Sequence, residues 1–492
     1  MTYAEALAYL NAFVDYEKLS GYVYDAARFN LARPRRLLHA LGDPHTAFPS
    51  IHIAGTKGKS STAALTESVL RAARFRTGLF ISPHLTTFRE RIQVAGEPIP
   101  EADLARLVTE TQPVIDAEIE HPEEGRLSFF EVYFALACRY FADTRRDVAV
   151  FETGLGGRLD GTNVLQPVVC GITAIGFDHM RELGDTLAKI AGEKAAIIKP
   201  RTPVLAARQG RDALKVISQT AREREAEFGL VTVEGAPIPD ETNGAQPPDW
   251  EVQVKPGKGD LRGQSFTVEM GRLLPVGRGG REGTRARVSS RTQWQSVRRY
   301  PHLWIPLVGR HQLANAGMAV GLVDVFRERR GRDVRSEEWI EALYAGLGKV
   351  QWHGRFEVFE TEPFVILDCA HTRESAEALR ETLQELVKHD RLVLILGVLA
   401  DKNLRAIAEV LCPIAATVIL APPDNPRAES PAAMRAKVAD LCADAVEAPT
   451  VTTALALART LAGKADAILV TGGVYTVGEV LRGAAGRPLA SE

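Results

Sequence analysis

The sequence predicts an α/β protein built from two doubly wound units, the first around a parallel sheet that carries a phosphate loop. Three observations predict it. The chain has 492 residues, beyond the roughly 250–300 at which a single hydrophobic core stops growing, so at least two domains are expected. From about residue 50 short β-branched runs alternate with helical stretches, the pattern of βαβ units. One of those strands enters a glycine-rich turn and then a helix, the context a phosphate loop requires.

Residues 1–18 read as an amphipathic helix without a basic n-region, an apolar core or a small-residue cleavage site, so no export signal is expected. Strands follow over 51–54, 77–82, 148–152 and 168–175. Residues 250–255 and 265–270 alternate apolar and polar side chains, which predicts a half-exposed antiparallel pair. Residues 272–299 are rich in Arg and Gly with almost no apolar periodicity and read as a disordered or long-loop insertion. A basic nucleic-acid arm is the sharper alternative there, but Trp294 is the one aromatic available for stacking. A second strand series follows over 364–368, 392–396, 417–420 and 467–471, with helices over 375–389 and 432–443. The expected boundary lies at 345–354, giving domains 1–345 and 346–492.

Composition excludes several function classes. Hydrophobic residues make up 45% and charged ones 25%, and no run of eighteen apolar residues exists to span a membrane. Five scattered cysteines without a CxxC pair argue against a disulfide framework and a zinc site, which fits a reducing cytoplasm. A net charge of −2 supplies no global field toward nucleic acid or a membrane surface, so neither is an expected partner.

The strongest local signal is 51–62, Ile-His-Ile-Ala-Gly-Thr-Lys-Gly-Lys-Ser-Ser-Thr. Gly55 and Gly58 let the backbone curl, the amides from Thr56 and Lys57 to Ser60 and Ser61 face an anion, and Lys59 neutralises phosphate oxygens. The loop is one to two residues shorter than the common pattern. Polar residues end or follow the neighbouring strands: Ser82, Glu152 and His179. At the carboxyl edge of an open sheet these would converge beside the loop and suit magnesium bound to ATP. Read alone, Ser82 is equally a turn hydroxyl and His179 more often a structural histidine, whereas the apolar strand before Glu152 makes a surface salt bridge there the weaker reading.

Together with Phe129-Phe130-Glu131, the run 152–163, Asp178-His179, Glu193-Lys194 and Asp368-Cys369-Ala370-His371, these motifs are familiar. From about residue 16 to 483 the chain resembles the folylpolyglutamate synthase and dihydrofolate synthase family of the Mur ligase superfamily. The resemblance implies a Mur-ligase-type ATPase domain followed by a Rossmann-like domain for the amino acid, with reaction in the cleft between them. It makes Ser82, Glu152, His179 and Lys194 the ligands of two magnesium ions, with Lys194 carried as a carbamate. It places Asn315, Arg355 and Asp368 on the nucleotide, His371 near the phosphates and glutamate, and Phe129, Phe130, Arg158, Leu159 and Asp160 around the pterin. Lys59, Lys194 and His371 would then serve catalysis. By local sequence alone, Phe129 and Phe130 are equally core residues and Arg355 equally a rim ion pair, while Lys194 reads first as a helix-surface lysine.

The chain departs from the family pattern at Ser60 and Cys369, where Gly is common, at Thr372, where Asn is usual, and at Gly161, where Ala is common. Thr372 puts contacts to the C-terminal substrate in doubt. The implied activity is an ATP-dependent amide ligation through an acyl phosphate, joining L-glutamate to dihydropteroate or to the γ-carboxyl of a reduced folate, by a monomer. A Mur-type ligase acting on another carboxylate and a nucleotide-binding homologue without catalysis are the alternatives.

Overall fold

Aliphatic and β-branched runs with no polar alternation become strands buried on both faces, as a parallel sheet covered by helices requires. Ser50–Ala54 and Val148–Glu152 are such strands, buried at every position. The computed structural model describes residues 1–19, 29–121, 124–236, 247–275 and 292–484.

An 11-stranded sheet runs in the order Thr292–Ile305, Gly263–Pro275, Trp250–Asp260, Phe228–Val233, Val204–Ala207, Val169–Ile172, Ser50–Ala54, Val148–Glu152, Thr77–Phe80, Ile92–Val94 and Glu97–Pro98. Neighbours from Trp250–Asp260 across to Thr77–Phe80 are parallel. The strands beyond at either edge are antiparallel. Ser50–Ala54 lies between Val148–Glu152 and Val169–Ile172, so three chain reversals open side by side at one edge of the sheet.

A second, 6-stranded sheet runs in the order Glu357–Thr361, Phe364–Asp368, Ala467–Thr471, Leu392–Leu396, Thr417–Leu420 and Val446–Glu447, parallel except for its first strand. Two apolar clusters fill its faces. Leu261, from the turn between two long strands of the first sheet, packs into one of them. All five cysteines are free thiols.

Two expectations are corrected. The first helix is Tyr3–Asn11 rather than 1–18, and the chain then extends so that Val14 bridges Ser128 and Glu17 pairs with the buried Arg91. In the Arg/Gly-rich segment, residues 272–275 and 292–299 are strand, paired antiparallel; 276–291 lie outside the described residues. Charge masked the strands because their hydrogen-bonded ladder sits at a sheet edge, where cross-strand ion pairs replace apolar alternation. Arg299 and Lys255, on either side, lie 3.4 and 3.0 Å from Glu269.

Candidate active site

The phosphate loop leaves Ser50–Ala54 and turns into the helix Lys59–Ala72. Glycine is required twice in it. At Gly55, φ is +153° and a Cβ would stand 1.8 Å from Thr173 Oγ1; at Gly58, φ is +82° and a Cβ would stand 2.2 Å from Asn315 Oδ1. The amides of Thr56 and Lys57 do not face an anion as expected: both donate to Ala174 O, at 2.8 and 3.0 Å. The donors left for phosphate are the first-turn amides of the helix, Lys59 to Ser61, which have no intrahelical partner.

Glu152 ends its strand 1% exposed. Ser60 Oγ donates to its Oε1 at 3.0 Å, Ser82 N donates to Oε2 at 3.4 Å and Lys59 Nζ lies 3.8 Å away. Burial pushes its carboxyl up, against the pull of Lys59. The departure at Ser60 therefore adds a hydroxyl to the carboxylate that faces the loop. A buried carboxylate holding the Ser60 hydroxyl, with Ser82 on the same cleft wall beside a phosphate loop, offers oxygen donors of the type that magnesium prefers. No cluster of three or more His, Cys, Asp or Glu suited to a metal occurs among the described residues. His179, in a left-handed conformation at φ +51°, lines the same cleft. Burial holds its imidazole down to about 3, so the ring is neutral at pH 7.

Lys194 is buried at the end of Leu187–Ala195, and its Nζ donates to Gly55 O at 2.8 Å. Burial, then the charge of Lys59, brings it down to about 7. As an ammonium it would repel a cation; as a carbamate it would present an anionic oxygen.

The lobe built on the 11-stranded sheet and the lobe built on the 6-stranded sheet meet at Asp178. Its carboxylate lies 3.2 Å from Lys57 Nζ, 2.7 Å from Lys402 Nζ and 3.4 Å from His371 Nε2. His371 Nδ1 donates to Cys369 O at 2.9 Å, which leaves Nε2 to accept from Lys57 Nζ at 3.0 Å. Burial holds His371 at about 4, consistent with a neutral ring. Lys402 escaped the sequence reading, and Asp178 entered it only as the neighbour of His179. The signal available was Asp401-Lys402-Asn403 just after a buried strand, at a carboxyl edge.

On the far wall, Asn315, Arg355 and Asp368 line the same cleft as the phosphate loop. Asn315 Nδ2 donates to Gln312 at 2.9 Å. Asp368 Oδ2 accepts Phe356 N, beside Arg355, and Oδ1 accepts Ala370 N, both at 2.8 Å, so the carboxylate ties the loop that carries Arg355 to the turn after its own strand. Cys369 Sγ packs where a Cβ on Gly354 would come within 2.9 Å. Thr372 caps the helix Arg373–Leu386 with Ser375, a place Asn fills equally well.

A second cavity adjoins the first. Phe130, Leu159, Asp160, Phe29 and Tyr475 line it, and Lys402 and Arg427 reach it from the second lobe. Phe130 packs so closely that a Cβ on Gly154 would stand 2.7 Å from its ring. On Gly161 an alanine methyl would find ordinary contacts of 3.5 Å or more. Two expected residues are not brought here. Phe129 is 1% exposed in the core, beneath Arg91, because it opens the helix Phe129–Asp143 on its inner face. Arg158 points outward and pairs with Glu193 at 2.9 Å.

The cleft and the cavity share Ser82, Pro83, Gly154, Leu155, His179, His371 and Val474. A family model for the Mur ligase glutamate ligase domain matches residues 354–474. Over 421 residues the chain is 32% identical to the dihydrofolate synthase/folylpolyglutamate synthase of Bacillus subtilis, covering 85% of this chain and 87% of that one. The chain belongs to the folylpolyglutamate synthase/dihydrofolate synthase family. Family members are Mur-type ATP-dependent ligases. The chain is also 34% identical over 473 residues to a Haloferax volcanii protein named "Probable bifunctional folylpolyglutamate synthase/dihydropteroate synthase", and it spans 50% of that longer relative. The solved Mycobacterium tuberculosis folylpolyglutamate synthase complexed with ADP and AMPPCP superposes with a TM-score of 0.77 at 30% identity, over 93% of this chain and 96% of that one. No helix among the described residues is long and apolar enough to cross a membrane.

Proposed function

We propose that this protein joins the amine of L-glutamate to a folate-type carboxylate, dihydropteroate or the γ-carboxyl of a reduced folate, driven by ATP. The observation that carries the reading is the shared wall: the phosphate-loop cleft and an aromatic-lined cavity meet at Ser82, His179 and His371. A flat heterocycle against Phe130 would extend its carboxylate to that junction.

ATP would lie between the first-turn amides of Lys59–Ala72 and the far wall of Asn315, Arg355 and Asp368. Lys59 and Arg355 would offset charge as the γ-phosphoryl group moves to an acceptor carboxylate oxygen, breaking its bond to ADP. Glutamate's neutral amine then attacks the acyl carbon and phosphate leaves as the amide forms. Lys402 and Arg427, facing the cavity from the second lobe, suit the carboxylates of the incoming amino acid. Magnesium, when bound, would supply Lewis-acid stabilisation of phosphoryl oxygens. Glu152, Ser82 and Ser60 fit it, with neutral His179 beside them; Lys194 fits a second ion as its carbamate.

The experiment is incubation with Mg-ATP, L-glutamate and either dihydropteroate or a reduced folate monoglutamate, with products read by mass. A glutamate added to dihydropteroate alone identifies a dihydrofolate synthase. Addition to the folate alone identifies a polyglutamylating enzyme, and addition to both a bifunctional one. ATP binding without any amide product refutes the proposal.

A further inference from the structure

A line of buried, hydrogen-bonded side chains leads from the strand that feeds the phosphate loop to the acceptor cavity, and the chemistry above makes no use of it. His52 sits in the middle of Ser50–Ala54, fully buried. Its Nε2 lies 2.8 Å from Thr162 Oγ1, itself fully buried. That hydroxyl makes a short hydrogen bond to Asp160 Oδ1. Oδ1 also accepts Thr162 N at 3.0 Å, and Oδ2 accepts Leu155 N at 2.9 Å. Asp160 is the member of this line that reaches the cavity.

The direction of the line follows from proton counting. A hydroxyl carries one proton and two lone pairs. The carboxylate takes the Thr162 proton, so the histidine must donate, and the imidazole proton sits on Nε2. Nδ1 is then a bare lone pair, and it has no hydrogen-bond partner among the described residues. A buried lone pair costs less to leave unmatched than a buried N–H. Burial keeps the ring neutral, holding it down to about 3.

We infer that His52, acting through Thr162, is a positioning residue that orients the Asp160 carboxylate toward the acceptor. The strand that carries the phosphate loop therefore also sets the acceptor cavity. With the His52 N–H on one lone pair, the Thr162 proton is directed at Asp160. Without it the hydroxyl can turn to a backbone carbonyl, and Asp160 loses a bond that fixes its rotamer. This inference rests on the reading that the cavity takes the carboxylate acceptor.

The test compares His52→Leu, His52→Gln, Thr162→Val and the double variant His52→Leu/Thr162→Val in the full chain, using Mg-ATP, L-glutamate and whichever acceptor the wild type uses. Loss of one hydrogen bond to a charged group predicts a rise of about tenfold in acceptor KM for His52→Leu and for Thr162→Val, with the ATP KM within about twofold. His52→Gln, whose amide nitrogen donates from a similar reach, restores the acceptor KM. The double variant is no worse than either single one, because both break the same line. An unchanged acceptor KM in His52→Leu overturns the inference. So does a parallel rise in the ATP KM, which would mark a general loosening of the strand; His52→Gln and Thr162→Val decide the matter if His52→Leu fails to fold. A wild-type chain that forms no amide with either acceptor refutes the functional reading and this inference with it, whereas a working wild type with an unaltered His52→Leu refutes the inference alone.

Discussion

Replacing Asp178 with Asn removes one negative charge from among three basic groups and leaves the side-chain shape almost unchanged. The carboxylate lies 2.7 Å from Lys402 Nζ and 3.2 Å from Lys57 Nζ. At an effective dielectric constant of about 20, unit charges at those separations attract by roughly 5–6 kcal/mol per pair before desolvation and the mutual repulsion of the lysines are counted. The three side chains are 12%, 13% and 23% exposed, so solvent screens them little. Removing one partner from such a buried arrangement costs about 3–5 kcal/mol, and the surviving amide oxygen places Asp178→Asn near 3 kcal/mol. Burial alone would raise the carboxyl, but the charges of Lys57 and Lys402 hold it well below the usual carboxylate range. Its contribution is thus fully present above about pH 4 and is lost only as pH falls through the depressed value. The assay is urea unfolding of the full chain at pH 7, followed by circular dichroism and intrinsic fluorescence, at low salt and at about 1 M salt, where exposed pairs are screened out. Because Lys57 and Asp178 belong to one lobe and Lys402 and His371 to the other, amide formation should fall together with stability. A loss below about 1 kcal/mol, or one that disappears in salt, would show that Asp178 does not bind the lobes together in the way its geometry requires.

Three further outcomes are expected. Lys194 is held down to about 7 by burial and then by Lys59, so its amine becomes neutral as pH rises through 7 and can take up CO2; amide formation should climb across that window and fall when bicarbonate is stripped, and a flat, bicarbonate-independent profile would refute the carbamate. Phe129→Ala should destabilise by about 3–5 kcal/mol as a core truncation, read by denaturation, whereas Phe130→Ala should chiefly raise acceptor KM; equal effects in both assays would contradict the division of their roles. Thr372→Asn should change stability by less than about 0.5 kcal/mol and Thr372→Ala should cost about 1 kcal/mol, the difference between a cap exchanged and a cap lost, measured by thermal melting.

Much of the molecule was legible before folding was considered. Buried strands such as Val148–Glu152 and Phe364–Asp368 announce themselves as short apolar runs, and their bounds match the structure because turn residues flank them. The phosphate loop was equally plain, since strand, Gly55, Gly58, Lys59 and helix are all local. The clustering of Ser82, Glu152 and His179 followed from one rule, that carboxyl ends of parallel strands share an edge. Other features depended on contacts that chain order does not encode. Phe129 and Phe130 are neighbours in sequence, yet one helical step of about 100° sends one ring into the core and the other to the cavity. Lys402 meets Asp178 only because the second lobe sets its carboxyl edge against the first, across 224 residues of chain. The edge strand Thr292–Ile305 is charged because its partners are a hydrogen-bonded ladder and ions on the next strand. Sequence therefore determined the elements and the chemistry each could offer, because propensity and periodicity act over a few residues. Tertiary structure decided which of those groups face one another, because burial and electrostatic pairing act through space.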